Sequence, residues 1–148
     1  MMTKRIFRAI FLVALAVFLA GTALIMGALY NYYSGIYESQ IQEEAAYLST
    51  AVEDLGLPYL EGLERGSHRI TWVNSDGTVL FDSAANEDRM ENHLDREEIQ
   101  EAMADGVGES ERYSDTLSER SYYYALALND GSVLRVSGEQ YTVLSLLL

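Results

Sequence analysis

Cysteine is absent from these 148 residues, proline occurs once, and basic residues number 10 against 23 acidic ones. The first absence excludes disulfide frameworks, thiolate zinc sites and cysteine nucleophiles, so the chain folds by packing alone. The scarcity of positive charge is sharper than the net −13 suggests. Lys4, Arg5 and Arg8 sit at the extreme N-terminus, leaving 7 basic residues against all 23 acidic ones, a balance of −16. Such a surface repels phosphate backbones, so no nucleic acid is expected as a partner; cations and basic molecules are the easier ones. Catalytic signatures are missing too. There is no P-loop, Gly-x-Gly-x-x-Gly, His-Glu-x-x-His or Gly-x-Ser-x-Gly pattern, and Gly106-Val107-Gly108 lacks the lysine and following helix of a phosphate cradle. Neither enzyme activity nor a cofactor is expected of this chain.

What is plentiful is apolar sequence at the N-terminus. From Ala9 to Leu29 no charge interrupts the run, enough for a helix to cross the hydrocarbon core. A signal peptide shares the basic start, but its apolar stretch is shorter and ends at a small-residue cleavage site, whereas bulky residues follow Ala20-Gly21-Thr22 here. The sequence therefore predicts a cytoplasmic N-terminus over 1–8, a transmembrane helix over 9–30 in the lipid bilayer, and an extracellular remainder, because the basic residues precede the run. Tyr30, Tyr32 and Tyr33 suit an interfacial aromatic belt, and Gly35 a loosening of the helix as it leaves the bilayer. At the other end, Tyr141 to Leu148 is uncharged, and residues 141–148 read as the start of a second membrane helix, the rival reading being a last core strand.

Between these ends, Tyr33, Tyr37, Ile41, Ala45, Leu48, Val52 and Leu55 recur at steps of three and four, one face of a helix over 33–55. That stripe can pack on its own sheet, pair with a second copy, or do both. An irregular connection from Gly56 holds the lone Pro58. Strand-like runs follow at Arg69–Val73 and Thr78–Ser83, joined through Asn74-Ser75-Asp76-Gly77, a turn echoed by Asn129-Asp130-Gly131 between Ser121–Leu128 and Ser132–Ser137. Between the hairpins, a short helix is expected with Asp95 as cap, Glu98 reaching back to the cap backbone, Ile99 and Met103 inward, and Gly106 as the stop. A further strand begins at Gly108. In Ser121–Leu128, Tyr122, Tyr124, Leu126 and Leu128 share one face while Tyr123, Ala125 and Ala127 share the other, where small residues let a helix lie close. The order is α+β: a long helix, then an antiparallel five-stranded sheet with a short helix between strands 2 and 3.

The candidate sites are few. Counting back from Gly77 and Gly131, the first ligand position of a calcium loop falls on Trp72 and Leu126, which coordinate nothing, so these are turns and no metal site is expected. His93 has either a cap role over the loop or a pH-responsive one. The run Glu87, Asp88, Glu91, Asp95, Glu97 and Glu98 reads as a solvated acidic stretch, with collection of divalent cations as the alternative.

Three stretches, Val73–Ser83, Met90–Leu117 and Tyr122–Ser137, together with the membrane segment, resemble the extracytoplasmic PAS-like (single Cache) sensor domains of bacterial membrane histidine kinases, the phosphate-regulon-like ones above all. Glu97 stands where that family often has proline. The resemblance implies a sensor domain over 31–140, with its sheet and short helix within 69–137, in a two-component signal transduction protein whose kinase half lies outside this sequence. It also implies a ligand site between the sheet and the short helix. Arg112, Tyr113, Tyr122, Tyr124 and Arg135, on neighbouring strands, mix aromatic surface with donors for a carboxylate or phosphate. The stimulus is a small ligand, a cation or a partner protein, and a homodimer through the 33–55 helix and the membrane helices would pass it on. The alternatives are the sensor of a chemoreceptor or cyclic-dinucleotide enzyme, or a single-pass anchored adaptor without a ligand.

Overall fold

The computed structural model describes residues 2–64, 66–113 and 119–141. The chain forms two compact units, one up to Ile36 and one from Tyr37 onward. Helix α1 (Met2–Leu55) begins in the first and remains helical through Gly35. Within the first unit every side chain from Thr3 to Ala20 is exposed, apolar ones included. A helix that is apolar all round and unburied by protein suits lipid. It is the one helix among the described residues that is long and apolar enough to cross a membrane.

The second unit is α+β. After α1, Gly56 turns the chain at φ 68° and α2 (Leu57–Glu61) follows, with Pro58 in its first turn, where a missing N–H costs nothing. The predicted irregular connection thus contains one helical turn. Strands β1 (Arg69–Val73), β2 (Val79–Asp82), β3 (Val107–Tyr113), β4 (Glu119–Ala127) and β5 (Val133–Tyr141) form a single antiparallel sheet in the order β2-β1-β5-β4-β3. A 3-10 turn (Glu87–Arg89) and α3 (Glu97–Asp105) lie between β2 and β3. The expected second membrane helix falls outside the described residues from 142 on, and Tyr141 ends β5.

The two hairpins share one turn. Asn74 and Leu128 N–H donate to Thr78 and Ser132 O at 2.8 Å, Gly77 and Gly131 adopt φ near 85°, and the Asp76 and Asp130 carboxylates accept from the N–H two residues on. Thus Asp-Gly-hydroxyl closes both loops by identical bonds. Only Gly77 has a second duty: a Cβ there would overlap Asn92 and Leu94 of the long connection, which docks on this turn through His93 N–H to Gly77 O and Asn92 Nδ2 to Asp76 O.

Both faces of the sheet are covered, which makes β5 buried from Val133 to Gly138. On one face Ile41, Ala45, Leu48 and Val52 of α1 pack on Ile70, Tyr122, Leu134 and Val136. On the other, Ile99 and Ala102 of α3 pack on Val73, Ala125 and Val133, with Met103 alongside. The period-two reading of β4 holds: alanine admits the short helix, and the tyrosine-leucine face receives the long one. The apolar stripe of α1 is used by its own sheet from Ile41 to Val52, and its ends, Tyr33 and Leu55, remain exposed.

Candidate functional site

On the α3 face, strand alternation brings Arg69 and Thr71 of β1, Asp82 of β2, Arg135 and Ser137 of β5, Tyr123 of β4 and Ser110 and Arg112 of β3 to one surface. Glu98, from the first turn of α3, drops into its middle and is fully buried. Its Oε2 accepts from Ser110 Oγ and Arg112 Nη2, both at 2.7 Å, and its Oε1 accepts from Arg135 Nη1 at 2.9 Å. Arg135, with 4% of its side chain exposed, also donates through Nη2 to Thr71 Oγ1 at 3.2 Å, and Thr71 donates to Asp82 Oδ2 at 2.8 Å. Arg69 Nε bridges both oxygens of Asp82 at 3.0 Å, and that carboxylate further accepts from Ala84 and Ala85 N–H. The guanidinium groups of Arg112 and Arg135 lie 4.2 and 5.2 Å from the Tyr123 ring centre.

Burial alone would raise the Glu98 carboxyl. Hydrogen bonds from Ser110 and Arg135, with the Arg135 charge, reverse that and hold it below the usual carboxylate range. Asp82 is likewise held low: burial opposes the charge, and the Ala84 N–H, Thr71 and Arg69 outweigh it. Burial pulls Arg135 below the usual arginine range while Glu98 opposes the shift. One group in this shell is left without a partner: Arg135 Nε is buried and unbonded among the described residues.

The predicted capping box is therefore overturned. The N-cap of α3 is Arg96, without a side-chain cap bond, and Glu98 does not reach back to the cap backbone. Two arginines and a serine across the helix–sheet interface outbid a single surface N–H for its carboxylate. Gly106 does stop the helix, in the left-handed region at φ 89°.

Of the residues singled out from sequence, Arg112 and Arg135 do meet, joined through Glu98. Tyr122 and Tyr124 lie on the opposite face. The Tyr122 hydroxyl accepts from Gln42 of α1 at 3.0 Å and donates to Glu109 at 2.8 Å, and burial followed by the Glu109 charge pushes its pKa up. Tyr113 is exposed, its hydroxyl 3.4 Å from Glu111. The five are thus divided between faces because Arg135 pairs with Ala125, not with a tyrosine. Sequence reasoning missed Glu98, Arg69, Thr71, Asp82, Ser110 and Tyr123. The available signal was parity: Ser110 and Arg112, like Arg69 and Thr71, alternate in step with the alanine face of β4. Among the described residues no cluster of histidines and carboxylates could hold a metal ion.

His93 is 5% exposed in the connection before α3. Its Nδ1 lies 2.8 Å from Glu91 O, and since a carbonyl only accepts, Nδ1 carries the proton of the neutral ring. Burial, then the charges of Arg135, Arg96 and Arg69, lower its pKa below the ordinary histidine value. A lowered value means the unfolded state takes up a proton first as pH falls. Its contribution to stability is complete above about 6.5 and is lost as pH drops from there toward the folded-state value. Denaturant titrations at successive pH values should show stability falling between pH 7 and 5, before Glu98 and Asp82 titrate. The His93→Gln chain should show a flatter profile in that window; an unchanged slope would exclude His93 as its source.

A cavity of 430 Å³ opens beside this network, at the end of the sheet where β1 begins and β5 ends. Arg69, Ser121, Tyr123, Ser137 and Glu139 line it, with Ser67 from the preceding connection. Its rim is tied to α1: the Tyr37 hydroxyl donates to Glu139 O at 3.1 Å, Glu44 pairs with His68, and Glu38 accepts from Arg120 at 2.7 Å.

The profile of the Single Cache-like family matches residues 31–138, from within α1 through the first six residues of β5. The chain belongs to that family. Its members are extracytoplasmic sensor domains, and the α+β order described above, with a helix able to anchor it in a membrane, is the architecture present here. No curated protein matches the chain.

Proposed function

We propose that this Cache domain is the extracellular sensory region of a dimeric two-component sensor histidine kinase, anchored by residues 9–30 with its N-terminus in the cytoplasm. Membership of an extracytoplasmic sensor family is the observation that carries the sensory role. Lys4, Arg5 and Arg8, preceding an uncharged run, support the orientation. Kinase chemistry resides outside these 148 residues, and the exposed Tyr33, Tyr47 and Leu55 of α1 are the surface available to a second copy. A stimulus acts by favouring one of two packings of the sheet against α1, with the hydrogen bonds and ion pairs of Tyr37, Glu38 and Glu44 to the sheet end remade between them.

The absence of cysteine makes orientation directly testable, because an introduced cysteine is the only thiol within these 148 residues. In intact cells, a membrane-impermeant maleimide should label the Ser75→Cys chain and leave Thr3→Cys unlabelled until the cells are lysed. The reverse pattern would refute an extracellular domain. The kinase assignment predicts that membranes holding the complete gene product incorporate acid-labile, base-stable phosphate from ATP; stable phosphate esters alone, or no label, would reject it.

A further inference from the structure

We infer that the cavity bounded by Arg69 and Glu139 binds a small zwitterion of the amino acid type, its carboxylate on Arg69 and its ammonium on Glu139. This rests on the sensory reading above. The cavity's 430 Å³ lies within the range of small-molecule sites, about 300–1,000 Å³. Its charged lining among the described residues is one group of each sign, Arg69 and Glu139. Arg69 is fixed by Asp82, which is wholly buried and engages only Nε, so both Nη groups make no hydrogen bond among the described residues. A guanidinium held by its inner edge with its outer edge unused is pre-organised for a carboxylate.

The register sets the remaining geometry. Arg69, Ser137 and Tyr123 form one row across β1, β5 and β4, because Ser137 pairs with both of the others. Glu139 and Ser121 pair in the next row on the same face. Rows two residues apart are about 7 Å apart and neighbouring strands about 4.8 Å. Arg69 and Glu139 therefore flank the space diagonally, at a separation that side chains and a short zwitterion can close. The hydroxyls of Ser67, Ser121, Ser137 and Tyr123 make no described hydrogen bond and are free for the ligand.

Charge decides between ligand classes. Beyond the N-terminal basic residues the chain has a balance of −16, which repels a free anion at long range, while Arg69 repels a simple cation at short range. A zwitterion meets neither penalty and satisfies both walls. Binding would also bear on the rim held to α1, since Glu139 accepts from Tyr37 through its backbone oxygen and Ser67 adjoins His68.

The test uses the full chain in lipid nanodiscs, with thermal unfolding followed by fluorescence of Trp72, the only tryptophan. Each standard L-amino acid is added at rising concentration, and for any that shifts Tm, the hydroxy acid and the amine bearing the same side chain are compared. A ligand bound only by the folded state raises Tm in a dose-dependent manner. At least one amino acid should do so, and its hydroxy acid and amine should not. Glu139 is exposed, so Glu139→Gln should keep the unliganded Tm and lose the shift; Arg69→Gln should lose the shift as well. The inference is overturned if no amino acid shifts Tm, if the hydroxy acid shifts it equally, or if Glu139→Gln retains the response. Those outcomes leave the labelling and phosphorylation results untouched, so failure of the ligand class is separable from failure of the receptor reading.

Discussion

Glu98→Ala should lower the unfolding free energy by about 3–5 kcal/mol, the cost of breaking a buried ion pair from one side. The reason lies in what is left behind. Arg135 keeps Thr71 as its one hydrogen-bond partner among the described residues, with its Nε already unbonded and 4% of its side chain exposed. An uncompensated cation in a dry interface is far costlier than the lost packing of one glutamate. Ser110, buried too, loses its acceptor. Arg112, with 37% of its side chain exposed, can turn to water and adds little. Urea unfolding followed by Trp72 fluorescence measures the change. Replacing both partners, Glu98→Leu with Arg135→Met, should recover most of the loss, because an apolar pair of similar size leaves no charge to solvate. A loss under about 1 kcal/mol for the single variant would mean that water reaches Arg135 and that the network is not dry.

Gly108→Ala should cost about 1–3 kcal/mol through overpacking, although alanine is the smallest possible change. A Cβ at this position would overlap the carbonyl oxygen of Glu98 and come within 2.8 Å of the Ala102 nitrogen. Both are helix backbone and cannot rotate away, so α3 must lift from β3. That movement withdraws the Glu98 carboxylate from Ser110, Arg112 and Arg135 together. Gly131→Ala is the contrast: its φ of 84° strains any side chain, but a Cβ there meets only Ser75 Cβ at 3.9 Å. It should therefore cost about 1–2 kcal/mol of local strain without disturbing the network. The signature that separates them is pH: Gly108→Ala should weaken the stability that Glu98 supplies as pH rises through the carboxylate range, whereas Gly131→Ala should leave that slope intact. Equal slopes in the two variants would show that α3 tolerates the methyl group in place.

Much of this architecture is readable without coordinates because short-range rules govern it. Steps of three and four from Ile41 to Val52 name the buried face of α1, since a helix in contact with a sheet must repeat at its own period. Alternation in Tyr122–Leu128 separates the two faces of β4, and Asp-Gly followed by a hydroxyl residue closes both hairpins through bonds within four residues. The apolar, uncharged run from Ala9 to Leu29 is long enough to cross a membrane, a property of length and composition alone. The helix stop at Gly106 is equally local, a left-handed residue needing no Cβ.

The polar centre was not readable, and Glu98 shows why. Three residues after Asp95 and next to Glu97, it fits a capping box, and nothing within its own turn contradicts that. Its true partners are 12, 14 and 37 residues away. Only the pairing of β5 with β4 and of β4 with β3 places them beneath α3. The same pairing divides the proposed aromatic site: Arg135 falls opposite Ala125, and this single fact sends Tyr122 and Tyr124 to the α1 core and brings Tyr123 to the arginines. Strand register is a long-range quantity, fixed by which buried faces match across the sheet, and a shift of one residue would exchange every side chain between faces. The sequence by itself determined the strands, the long and short helices, an apolar run long enough to cross a membrane and the two turns, because each depends on neighbours along the chain. The buried Glu98–Arg135 pair, the fixed Arg69 and the cavity beside it were decided by tertiary structure, because a charge enters a low-dielectric interface only where the register supplies its partner.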